Sequence, residues 1–136
     1  MSQYNFSSLF SNDMLNRLFP IEKTDQFFHA LFGDSEEGAY NINLYFKEYR
    51  DNKLHFEFHL TRRQGKCLVC SLTYGLPKVF EKHPVINIKG IVNEIENLLE
   101  KKFRCNSIQI ENTIQVSKDL HVIPFIVVLE NSLTKF

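Results

Sequence analysis

Tryptophan is absent from this chain, glycine and proline number only five and four, and the three cysteines are an odd count. Each shortage excludes something. So few glycines leave no dinucleotide fingerprint or phosphate-binding loop, and neither G-x-S-x-G nor H-E-x-x-H occurs. Three cysteines argue against a secreted disulfide framework. Neither sign of charge is in surplus: sixteen basic residues balance sixteen acidic ones, whereas a nucleic-acid binder usually carries a basic excess or stripe. The basic clusters present, Arg62, Arg63 and Lys66, then Lys101, Lys102 and Arg104, read as solvated turn and helix-end charges. No apolar run reaches the ~20 residues that span a bilayer. The longest, Val122 to Leu129, contains Pro124 and is strand-sized, and Met1 to Phe10 lacks the pattern of a signal peptide. These absences predict a soluble, cytoplasmic protein with no nucleic-acid or membrane partner and no cofactor.

What the chain does have is phenylalanine, thirteen in 136 residues, enough for an aromatic core in a single domain spanning residues 1–136. Phe6, Leu9, Phe10, Met14, Leu18 and Phe19 recur at helical spacing until Pro20 breaks the segment. Thr24 or Asp25 can cap a second helix carrying Phe27, Phe28, Leu31 and Phe32, ended by Gly33. The period then changes from 3.6 to 2, and Ala39 to Tyr74 reads as a three-stranded antiparallel meander. Its faces sort by parity. A three-residue loop, Arg50-Asp51-Asn52, pairs Phe46 with Phe56 and Leu44 with Phe58, whereas a two-residue loop would set Phe46 against Glu57. Arg63-Gln64-Gly65 repeats the device and pairs Leu60 with Leu68 and Phe58 with Cys70.

After the connection "GLPKVFEKHPVIN", residues 75 to 87, Asn87 caps a helix striped with Ile88, Ile91, Val92, Ile95, Leu98 and Leu99. Ile108, Ile110, Ile114 and Val116 alternate in a fourth strand. His121 to Glu130 makes a fifth, where Pro124 predicts a sheet edge or a bulge. The expected fold is therefore α+β in two layers: a five-stranded antiparallel sheet with helices on one face, in the order ααβββαββ. This order resembles that of the type III secretion chaperones, a class that works as dimers, but it departs at both ends, with an extra first helix and no helix after Glu130. A likeness of topology carries no function by itself.

The stretch "HFEFH", residues 55 to 59, sets His55, Glu57 and His59 on one face. At about 3.3 Å per residue the two histidine Cβ atoms lie roughly 13 Å apart, too far for one zinc with nitrogens ~2 Å away. The expected register puts Tyr45 and Ser71 beside Glu57, Asn43 and Val69 beside His59, and Lys47 and Thr73 beside His55, so no third ligand converges and no metal is expected. Cys67 and Cys70 fail likewise as a redox pair, because three residues of strand span about 10 Å against a disulfide limit of roughly 7 Å. His29 and His121 carry no pattern of their own.

The reading that follows is a non-catalytic protein-binding or adaptor module, with a protein partner or a second copy of itself, a homodimer, on the outer sheet face. The candidate contact residues are Tyr45, His55, Glu57 and His59. Phe80 and His83 join them if the 75–87 segment edges a groove floored by the sheet; otherwise Leu76, Val79 and Phe80 close the end of the core as a short helical turn. The alternative is a small-ligand protein or an enzyme with a pocket between sheet and helices, using His55, Glu57, His59 and His83 as polar and proton-transfer groups.

Overall fold

The computed structural model describes residues 6–32, 40–65, 76–100 and 103–131. Three helices lead the described residues: α1 (Phe6–Leu9) and α2 (Asn12–Leu18), which divide the single helix expected before Pro20, and α3 (Glu22–Phe32). Ser11 caps α2, its hydroxyl accepting from the Met14 amide at 3.3 Å. Thr24 caps nothing. It lies inside α3 and is buried, and its hydroxyl donates to the Ile42 carbonyl at 3.3 Å and accepts from the Ile42 amide at 3.0 Å. A helix residue thus satisfies both outward groups of one position on the first strand.

That strand, β1 (Tyr40–Arg50), turns into β2 (Lys53–Arg62). Phe46 pairs with Phe56 and Leu44 with Phe58, as the parity of the sequence predicts. The route differs. The turn has two residues, Asp51 and Asn52, at φ 54° and 64°, the left-handed pair whose twist suits a hairpin. Alone it would oppose Phe46 to Glu57; a bulge at Lys47, between Phe46 and Glu48, absorbs the offset. His55 consequently pairs with Glu48, not with Lys47.

The three-stranded meander is corrected as well. The second edge of β2 is taken by β5 (Leu120–Asn131), with Phe58 against Ile123 and Leu60 against His121, in the places expected for Cys70 and Leu68. Residues 66–74, read above as the third strand, lie outside the described residues. The 75–87 connection holds a helix, α4 (Leu76–Lys82), before α5 (Ile88–Leu98). Asn87 caps α5 as expected, its Oδ1 accepting from the Gly90 amide at 3.1 Å.

The expected fourth strand is two pieces, β3 (Phe103–Ile110) and β4 (Ile114–Ser117), both antiparallel to β5 on the side away from β2. Residues 111–113 break the alternation, so Ile114 and Val116 end exposed instead of joining the core. Pro124 sits in β5, between β2 and that break, and its carbonyl accepts from Glu111 at 3.0 Å. Its missing N–H thus falls where the neighbouring ladder is interrupted, which is how proline enters a central strand. The result is an α+β fold on a five-stranded antiparallel sheet in the order β1-β2-β5-β3, with β4 paired to β5.

Between helices and sheet lies a stack of rings. Phe10 meets Phe46 and Phe56, each at 5.1 Å, Phe19 meets Phe58 at 5.5 Å, and Phe80 lies between Phe27 at 5.6 Å and Phe58 at 5.2 Å. Edge-on geometry dominates, as the ring quadrupole favours.

Candidate functional site

On the outer face of the first hairpin, strand alternation brings Tyr45, Glu57 and His59 together. Tyr45 pairs with Glu57 and Asn43 with His59, as expected. His59 Nε2 and Glu57 Oε1 are 2.9 Å apart, and the Tyr45 ring lies 4.2 Å from the His59 ring. Lys47, on the bulge, reaches Glu57 Oε2 at 3.8 Å. Glu57 and His59 are about a quarter exposed and Tyr45 is 42% exposed, so the cluster is open to solvent yet internally ordered. On the far side of β2 stand Pro124 and Val122 of β5, not Ser71 and Val69. His55 shares the face one step along, opposite Glu48, which holds Arg50 at 3.4 Å.

Phe80 and His83 are not part of this cluster. Phe80 is wholly buried in the ring stack, the helical-turn outcome for the 75–87 segment. His83 turns its ring edge-on to Phe27 at 4.9 Å, and its Nδ1 accepts from the Val85 amide at 3.1 Å. That bond places the proton of the neutral ring on Nε2 and makes His83 a brace for the Pro84 turn. The 75–87 segment does border a groove, but through Glu81.

Among the described residues, two concavities beside the sheet bear on the site. One, of about 250 Å³, lies beside Tyr45 and is lined by Asn12, Asn16, Asn43, Leu44 and Tyr45. Asn12 and Asn16 were missed in the sequence because they sit on the polar side of a short helix; only the spacing of Leu15 and Leu18 hints that they face elsewhere. The other, about 320 Å³, runs between α5 and β3 and is lined by Glu81, Ile88, Lys89, Val92, Cys105, Ser107 and Ile108. Burial and the Glu96 charge push the Cys105 thiol upward, which keeps it protonated and slow to react.

Chemically, Glu57 orients an imidazole and Tyr45 covers it. Such a pair can serve a general base, yet it stands on an open face rather than in a chamber. His121 is fully buried among the inward residues of β5, and desolvation lowers its pKa. Among the described residues no group of three His, Cys, Asp or Glu side chains is placed to hold a metal ion; Cys67 and Cys70 lie outside them. No described helix is long and apolar enough to cross a membrane. The basic turn is engaged internally, Arg62 with Asp119 at 2.6 Å and Arg63 with Asp25 at 2.8 Å.

No family model, curated protein or solved structure matches the chain. The likeness to type III secretion chaperones rests on element order alone, and the third strand of that order falls on residues outside the described ones.

Proposed function

We propose that this is a non-catalytic, cytoplasmic protein-binding or adaptor module whose contact surface is the outer face of β1 and β2, centred on Tyr45, Glu57 and His59. A second copy of the chain is its first candidate partner. The observation that carries this reading is the order of that cluster: a tyrosine ring tilted at 39° against a histidine that a glutamate already holds at 2.9 Å. Side chains fixed before binding lose less rotamer entropy on contact, and tyrosine is among the residues that anchor interfaces. The enzyme alternative needs inward histidines around a chamber between sheet and helices. Phenylalanine rings fill much of that space, where His121 of β5 is itself wholly buried, and His55, Glu57 and His59 lie on the opposite side of the sheet, which supports the alternative less.

Light scattering during size exclusion, at two protein concentrations, tests the reading. A dimer at both is expected, and Tyr45→Ala should weaken it by about 2 kcal/mol, roughly thirtyfold in dissociation constant, with Glu57→Ala acting in the same direction. A monomer throughout, or a dimer indifferent to both substitutions, refutes self-association through this face.

A further inference from the structure

We propose a second binding site at the edge of β3, which takes up an extended peptide as an added strand and lodges one of its apolar side chains against α5. This goes beyond the face described above and uses different residues.

The direction of the β3 main chain follows from bonds elsewhere in the sheet. The Leu129 amide donates to the Asn52 carbonyl at 2.7 Å, so odd-numbered β5 residues turn their peptide groups toward β2. The Glu111 amide donates to the Pro124 carbonyl at 3.0 Å, so even-numbered ones turn toward β3. Cys105, Ile108 and Ile110 pair with Leu129, Val127 and Phe125. They are therefore in non-hydrogen-bonded pairs, their own N–H and C=O groups point away from β5, and among the described residues no strand lies beyond β3. At Cys105 the amide is already taken, donating to a Glu96 carboxylate oxygen at 2.7 Å. Ile108 comes next, past the bulge at Asn106, and Ile108 lines the groove.

The groove suits one kind of occupant. Ile88 and Val92 form one wall and Cys105 and Ile108 the other, in about 320 Å³. That volume is at the foot of the range for small-molecule sites, about 300–1,000 Å³, and so matches one or two side chains instead of a whole cofactor. An edge strand beside an apolar trough recognises main chain with the one and a side chain with the other. Exposed Glu81 and Lys89 supply one charge of each sign at the rim, and among the described residues neither is in an ion pair. The complementary peptide carries an apolar residue flanked by one basic and one acidic side chain. The β1 edge is less suited, because the Thr24 hydroxyl occupies both outward groups of Ile42.

The test uses the full chain and synthetic decapeptides with a central leucine, isoleucine or phenylalanine, flanked by lysine and glutamate in either order on a serine–threonine background. We expect one charge order to bind, and bound peptide to slow exchange of the Ile108 amide by about tenfold. Methylating alternate peptide nitrogens should weaken binding by about tenfold, since it removes donors while keeping side chains. Lys89→Glu, on the exposed rim, should abolish the preference for charge order, and Tyr45→Ala should leave binding unchanged, which separates this site from the β1–β2 face. Failure of every peptide to bind, binding that leaves Ile108 exchange unaltered, or indifference to N-methylation would each overturn the proposal. Protection of Ile108 that grows with protein concentration alone would assign the edge to a second copy and overturn the peptide as its occupant.

Discussion

Asn87 holds a left-handed backbone, φ 54°, while its side chain caps α5. Asparagine tolerates that conformation and alanine does not, so two costs combine in Asn87→Ala: about 1 kcal/mol for the cap and about 1–2 for the backbone. Asn87→Gly relieves the second. Urea denaturation should show the alanine variant less stable than the glycine one by at least ~1 kcal/mol. Thr24 offers a second case, since its buried hydroxyl serves both peptide groups of Ile42. Thr24→Val keeps the shape and strands the Ile42 groups, at about 1–3 kcal/mol. Thr24→Ser keeps the hydroxyl and loses one methyl, about 0.8 kcal/mol. The serine variant should therefore unfold at higher urea. The Asn87 role was legible from its position before an apolar stripe. The Thr24 role was not, because its partner is 18 residues away on a strand.

At the scale of elements, the first hairpin shows how register is set by two local devices that must agree. The turn at Asp51-Asn52 opens with one parity and the bulge at Lys47 changes it. Removing the bulged residue leaves a regular ladder with Phe46 still against Phe56. Deletion of Lys47 is thus expected to preserve the fold, whereas deletion of His55 from the unbulged β2 moves Phe56 and Phe58 out of the core and should unfold it. Circular dichroism and thermal melting of the two deletions decide the matter. Alternation in the sequence was enough to pair the phenylalanines correctly. It could not separate a three-residue loop from a two-residue loop with a bulge, because both restore the same parity.

For the whole molecule, the ring stack and the outer face should respond oppositely to truncation. Phe80 is completely buried between Phe27 and Phe58, and Phe80→Ala should cost about 3–5 kcal/mol, a large part of the 5–15 kcal/mol typical of a domain. Tyr45→Ala, on the surface, should stay within about 0.5 kcal/mol. Acid should act through His121. Desolvation holds its folded pKa below the ordinary 6.5, so the unfolded chain binds the proton more readily. Its contribution is fully present above the unfolded value and is lost as pH falls from there through the folded one. Urea midpoints measured from pH 7.5 downward should decline below pH ~6.5, and His121→Leu should reduce that slope.

Taken by itself, the sequence determined that α3 and α5 are helices and that β1, β2 and β5 are strands, which side of β1 and β2 is apolar, and that Tyr45, Glu57 and His59 share the other side. Each is a local matter of period, capping and cross-strand parity, in which side chains a few positions apart decide the outcome. The neighbours of β2, the break between β3 and β4, and the burial of Phe80 were decided only in the tertiary structure. Those depend on which distant strand takes a free edge. Several apolar strands offer equivalent hydrogen bonds there, and the packing of the rings selects among them.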